Sequence, residues 1–309
     1  MRALILLLLL APGLATAAEG WPRVIEHPLG ETRLPAPPQR VVALEVGQNV
    51  DMLLALGLPP VGSITYGLAA ADQPAAWPPA IAAQAAAAGI RSVGSPGQVD
   101  LEAIAVLEPD LIIANEWGGH EAYAALSRIA PTITLPFERH FVPPLRALAR
   151  ALGREARAEA WIARYTARTL ELHEALAGTE VAIVRPRLQS VWMYGPPSNA
   201  GRVLGEAGVR VQPLPPGASF TADAPGAIGE LSLERLPAIT APHLFVILYN
   251  LEHHDGLQGY LRGPLWQRLP AVEAGNVHGV EGIAWTNHGP IGALQMLEEA
   301  AAALTGEVP

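Results

Sequence analysis

The sequence predicts an α/β protein of two lobes, each built on a parallel sheet, joined by a single long interdomain helix. Three observations carry this expectation. From about residue 40 to residue 135, short apolar runs alternate with helix-patterned segments, the arrangement of a parallel sheet covered on both faces. A stretch from Pro144 to Ala177 follows with no strong breaker except Gly153. After it the alternation resumes, and a short pattern from the first half recurs. A chain of 309 residues has room for two such units.

The elements read as follows. Residues 18–39 are rich in proline and charge and are expected to be a loose segment. Arg40–Leu44 is a short buried strand, and Val50–Leu56 a helix closed by Gly57. Val61–Tyr66 is a second strand, followed by a Pro- and Ala-rich connection over 67–89. Asp100–Leu107 is helical, Leu111–Ala114 a strand, Tyr123–Ile129 a helix and Thr132–Leu135 a strand. Over 144–177 the residues Leu145, Leu148, Leu152, Ala156, Ala160 and Ala163 recur at helical spacing among good helix formers. At 1.5 Å per residue such a helix is roughly 45–50 Å long, the length of a strut between lobes. Gln189–Met193 is a strand, Arg202–Ala207 a helix, Ser232–Ile239 a helix and Leu244–Leu248 a buried strand. Leu265–Leu269 lies near a helix, and Ile291–Leu304 closes the chain as an amphipathic one. Asp100-Leu101-Glu102 ahead of the strand at Leu111 is repeated as Ser232-Leu233-Glu234 ahead of the strand at Leu244. Asp100 and Ser232 are good N-caps, and Glu102 and Glu234 fall in the first turn, where a carboxylate suits the helix dipole.

Arg2, the apolar run Ala3–Pro12 and the small residues Ala15, Thr16 and Ala17 form a secretory signal, with cleavage expected after Ala17 or Ala18. The division is then signal peptide 1–17, first lobe 18–143, helix 144–177 and second lobe 178–309. The apolar run is too short to remain as a membrane span. The sequence contains no cysteine, which excludes disulfides, thiol nucleophiles, cysteine-ligated metals and a lipid-modified cysteine after the signal. The expectation is a free, monomeric periplasmic protein. A net charge of -9 argues against a nucleic-acid partner. No nucleophile elbow, phosphate loop or dinucleotide fingerprint is present, so the reading is a binding protein without catalytic residues or intrinsic cofactor.

Ligands of parallel α/β sheets bind beyond the C-terminal strand ends. There the sequence places Glu45, Gln48, Asn49, Tyr66, Asn115, Glu116, Trp117 and His120, and in the second half Trp192, Tyr194, Asn250, His253, His254, Trp285, Asn287 and His288. Aromatic walls with a few polar groups suit a sizeable organic ligand. Tyr66, Trp117, Trp192, Tyr194, Trp285, Asn250 and His288 are taken as the ligand-binding set. Glu252-His253-His254-Asp255 is dense in metal-ligating types, but no paired spacing defines an ion site. A free Zn or Mn ion on His120, His253 and His288 is one alternative, and an exported hydrolase another.

Arg40-Val-Val-Ala-Leu-Glu45 with Leu53–Gly57, Val99–Glu102 through Pro109–Ile113, and Gly263-Pro-Leu-Trp266 with Leu269-Pro270, Ala274-Gly275 and Val277 resemble the periplasmic binding proteins for iron–siderophores, haem and cobalamin. The last motif is most similar to their hydroxamate-siderophore branch. The resemblance runs from about residue 40 to the C-terminus and implies the class III architecture of two α/β lobes on one long helix. It also implies capture of an Fe(III)–siderophore chelate, hydroxamate type favoured, with haem or cobalamin as alternatives. The implied partner is the inner-membrane permease of an ABC importer, docked transiently through Glu102 and Glu234. No arginine stands near Pro96, and no tryptophan near Pro225 and Gly226, where hydroxamate-binding members carry ligand contacts. Trp285 matches an aromatic of their C-terminal site.

Overall fold

The computed structural model describes residues 20–65, 77–115, 119–135, 138–220, 226–248, 254–286 and 289–306. The expected loose start is instead a hairpin of β1 (Arg23–His27) and β2 (Gly30–Leu34). Its inner side chains lie against the edge of the first lobe's sheet. Thr32 Oγ1 donates to the Thr132 carbonyl (2.5 Å), and His27 Nδ1 lies 3.1 Å from Thr134 Oγ1. The inward residues Ile25, His27, Thr32 and Leu34 alternate with exposed ones, a period-two pattern that the charged residues among them had masked.

The first lobe then runs β3 (Val41–Ala43), α1 (Gln48–Ala55), β4 (Gly62–Ser63), α2 (Ala82–Ala87) and β5 (Arg91–Ser92). A small hairpin of β6 (Gly94–Ser95) and β7 (Gln98–Val99) leads into α3 (Leu101–Val106). β8 (Leu111–Asn115), α4 (Gly119–Leu126) and β9 (Thr132–Leu135) complete it. The sheet order is β5-β4-β3-β8-β9, parallel at each pairing. Chain order reverses between β3 and β8, which places the lobe's crevice at their C-terminal ends.

The predicted unbroken helix over 144–177 is two helices, α5 (Val142–Leu152) and α6 (Glu155–Leu176). Gly153 ends α5 at φ 67°, a left-handed conformation that glycine adopts without strain. The strut is therefore α6 alone, 22 residues or about 33 Å.

The second lobe is a mixed sheet, not the purely parallel one expected. It comprises β10 (Glu180–Pro186), β11 (Ser190–Tyr194), α7 (Asn199–Glu206), β12 (Arg210–Val211), β13 (Ser219–Phe220) and β14 (Ile228–Ser232). After a 3₁₀ turn over Leu233–Ala238 come β15 (His243–Leu248), α8 (His254–Leu261), α9 (Pro270–Glu273), β16 (Val277–Glu281), α10 (Gly282–Thr286) and α11 (Pro290–Thr305). β10, β15 and β16 are parallel. β11 turns back on β10 after only Arg187–Gln189, too short for a crossover, so β11 and β14 pair antiparallel.

Buried side chains form two clusters. One covers the outer face of the second sheet, from Ala182, Val184 and Val246 to Trp266 and Leu269. The other is continuous from the first lobe (Val41, Ile112, Leu145) through Tyr165 and Leu172 of α6 to Ile183, Phe245 and Leu297 of the second. α6 is fixed to both lobes from its middle turns. Trp161 Nε1 donates to the Ala55 carbonyl (2.8 Å), and Arg168 grips Glu298 of α11 with two hydrogen bonds (2.7 and 2.6 Å).

Candidate ligand cleft

At the C-terminal end of β3 the chain turns through Glu45 into α1. The Glu45 carboxylate accepts from the backbone N–H groups of Gly47 (2.7 Å), Gln48 (2.7 Å) and Asn49 (2.8 Å), occupying the helix N-terminus. The second lobe repeats the device. Glu281, ending β16, accepts from Ile283 (3.0 Å) and Ala284 (2.8 Å) at the start of α10, and burial raises its pKa. On the first lobe's rim, Thr65 Oγ1 meets Ser92 Oγ at 3.2 Å. Gly94 follows at φ 118°, where a Cβ would stand 2.2 Å from the Gln98 carbonyl. This tight turn aims the chain into α3, whose N-cap Asp100 accepts from Ala103 N–H at 2.9 Å.

On the second lobe, Trp192 of β11 pairs with Arg185 of β10. The Arg185 and Arg187 guanidinium carbons stand 5.6 and 4.9 Å from its ring centroid. Val184 is in register with Val246, so these arginines stand at the height of Leu248, the C-terminal end of β15.

Two polar clusters join the lobes, and Asp51 of the first lines the small cavity between Gly47 and Ile283. Asp51 of α1, 2% exposed, accepts from the N–H groups of Gly289 (3.1 Å), Ile291 (3.0 Å) and Gly292 (2.7 Å) at the start of α11. Burial pushes its pKa up to about 7 against the pull of those three donors, with Glu45 adding to the rise. On the other side, Tyr165 of α6 donates to Glu206 of α7 (2.5 Å), and His140 Nε2 of the first lobe lies 3.3 Å from the same carboxylate. Burial opposes the charge of Glu206, but His140 and Tyr165 hold its pKa below the usual value.

Residues 41–282 match the family model described as periplasmic binding protein. The chain belongs to the periplasmic binding protein family. It is a component of binding and transport, not an enzyme. This periplasmic binding protein is 30% identical over 276 residues to the achromobactin-binding periplasmic protein of Dickeya dadantii, covering 85% of this chain and 86% of that one. It is 29% identical over 265 residues to the Fe(3+) dicitrate-binding periplasmic protein FecB of Escherichia coli, covering 84% and 82%. Staphylococcus aureus SirA complexed with staphyloferrin B superposes at a TM-score of 0.73 with 23% identity, covering 91% and 98%, and so shares the two-lobe fold.

In the periplasmic binding protein the predicted site residues divide. Trp192 is half-buried at the sheet's C-terminal edge. Tyr194, 4% exposed, belongs to the continuous core, because it sits mid-sheet opposite Ile183. Trp285 is fully buried, 4.7 Å from Phe245 between ring centroids, with Nε1 donating to Glu299 at 2.7 Å. These two are packing residues, a correction to their expected place on the cleft wall. Tyr66, Trp117, Asn250 and His288 lie outside the described residues, as does His253. Among the described residues no group of three or more His, Asp or Glu is placed to hold a metal ion.

Glu102 and Glu234 are both exposed, one at the first turn of α3 and one on the second lobe's 3₁₀ turn. Ser232 does not cap that turn as expected. Its hydroxyl bonds Glu234 instead, which lowers the Glu234 pKa, and Pro237 limits the segment to 3₁₀ form. The sequence reading missed Asp51, Arg185 and Arg187. Asp51 did carry a signal: it is the one acid among Val50, Met52, Leu53 and Leu54, and a buried acid requires partners.

Proposed function

We propose that this protein captures an iron(III)–siderophore chelate between its lobes and delivers it to the inner-membrane permease of an ABC importer. The observation that carries the reading is similarity over more than four-fifths of the chain to relatives named for ferric chelates. The strand-end turns of the two lobes, at Gly47 and at Ile283, meet around one small cavity, which agrees with it. The protein works in the periplasm after removal of residues 1–17, as a monomer that meets the permease transiently. Intrinsic tryptophan fluorescence tests the reading directly. Saturable quenching by one ferric chelate is expected when the mature chain is titrated with a ferric trihydroxamate, a ferric catecholate, Fe(III)–citrate, haem, cobalamin and free Zn²⁺. A response to Zn²⁺ alone, or to haem or cobalamin alone, would replace it. The hydroxamate preference drawn from the Gly263–Val277 motif enters as one arm of this titration.

The exposed carboxylates serve docking. Glu102→Arg or Glu234→Arg is expected to lower chelate uptake by cells about tenfold or more, as a rim charge facing opposite charge does, while affinity measured by fluorescence stays within about twofold. A parallel fall in affinity would remove the docking role.

A further inference from the structure

We propose that Arg185 and Arg187, gathered at Trp192, form a carboxylate-recognising subsite that selects an anionic iron(III) chelate over a neutral one. This deepens the ferric-chelate reading and rests on it.

Val181 and Ile183 face the continuous core between the lobes, while Ala182 and Val184 face the outer cluster. Side chains alternate along a strand, so Arg185 points to the inner side with Ile183. Its cross-strand partner Trp192 shares that face, as do Tyr194 and Ile228. The strand register puts the cluster at the C-terminal edge of the sheet, where the lobe presents its ligand surface. The cluster thus meets both conditions for a cleft contact: the inner face and the ligand-side edge.

The chemistry follows from the residue types. Two guanidinium groups held at one indole are like charges brought together, an arrangement relieved by an anion between or above them. The Trp192 ring holds both by cation–π attraction and restricts their orientation. Glu230, opposite Trp192 on β14, accepts from Ser190 Oγ at 2.5 Å. Arg187 is exposed and has no carboxylate within ion-pair distance among the described residues. A planar guanidinium fork matches a carboxylate in two parallel hydrogen bonds. The remainder of the protein works against such a ligand, since its net charge is -9. An anion therefore needs a local cationic contact. A trihydroxamate cancels the charge of the ferric ion and offers no free carboxylate. Citrate brings more carboxylates than the ion neutralises, so its ferric complexes stay anionic.

The test compares Fe(III)–citrate with a neutral ferric trihydroxamate on the full mature chain, wild type and variant, by tryptophan fluorescence and calorimetry. Wild type is expected to prefer Fe(III)–citrate, with binding that weakens as salt is raised. Arg187→Gln and Arg185→Gln should each weaken Fe(III)–citrate at least about tenfold, the loss of a charge-assisted contact, and Arg187→Lys should restore part of it. Binding of the trihydroxamate should not change. An unaltered melting temperature for Arg187→Gln verifies the fold. If wild type prefers the neutral chelate, or both Gln variants bind Fe(III)–citrate unchanged, the subsite is refuted while the ferric-chelate reading stands. If wild type binds no ferric chelate at all, both readings fall together.

Discussion

Trp285→Ala is expected to destabilise the fold by about 3–5 kcal/mol, the range for emptying a buried aromatic site. The ring has no exposed surface and packs on Phe245, so its removal leaves a cavity that the sheet cannot close. It also removes the indole donor to Glu299, although Gln295 Nε2 still donates to the other oxygen at 2.6 Å. Urea unfolding followed by circular dichroism gives the number. Trp285→Phe keeps most of the packing and should lose about 1–2 kcal/mol with chelate affinity within about threefold of wild type. If Trp285→Phe instead abolished binding with stability untouched, the ring would be a wall of the cleft.

The second large effect concerns Asp51. Asp51→Ala strips the acceptor from three backbone donors at the start of α11, and a loss of at least about 3 kcal/mol is expected, since each buried unpaired N–H costs about 1–3 kcal/mol. The effect of pH has a definite sign. The folded-state pKa is raised from 3.8 to about 7, so the native protein binds this proton more tightly than the unfolded chain. The resulting stability is complete below pH 3.8 and is lost as pH rises through about 7. A shift of that size corresponds to about 4 kcal/mol at 1.36 kcal/mol per unit. Asp51→Asn has no such dependence. Its stability relative to wild type should therefore improve steadily between pH 4 and pH 8, measured by thermal unfolding in matched buffers. A gap that widened with pH would show that the three donors hold Asp51 as an anion throughout.

Much of the first lobe was legible because its strands are short apolar runs between clear punctuation. Thr132–Leu135 fell where periodicity placed it, and Asp100 caps α3 as its position before an apolar helix requires. The interdomain helix was overestimated because spacing at Leu145, Leu148 and Leu152 continues in phase past Gly153, and one glycine weighs little in a composition-based reading. The mixed second sheet was missed because β10, directly after a helix, was not read as a strand, and nothing signals the tight reversal into β11. Membership of the family was visible in motif order. Individual contacts were not: an aromatic at a strand end looks the same whether it lines a cleft, as Trp192 is placed to do, or fills the core, as Trp285 does. Arg185 and Arg187 carried no signal in the sequence, since only the return of β11 along β10 sets Trp192 beside them.

Helix α11 carries a consequence for how the molecule is made. It is the final helix in chain order, yet it packs on α1, α6 and α7, and Asp51 near the front of the chain holds its first turn. The first lobe emerges from synthesis with this flank bare, and its apolar surface closes only when residues 290–305 arrive. Contacts spanning more than two hundred residues make assembly slow, and truncation ahead of residue 290 should leave neither lobe able to complete its interior. Thermal unfolding should accordingly proceed as one cooperative event and not lobe by lobe.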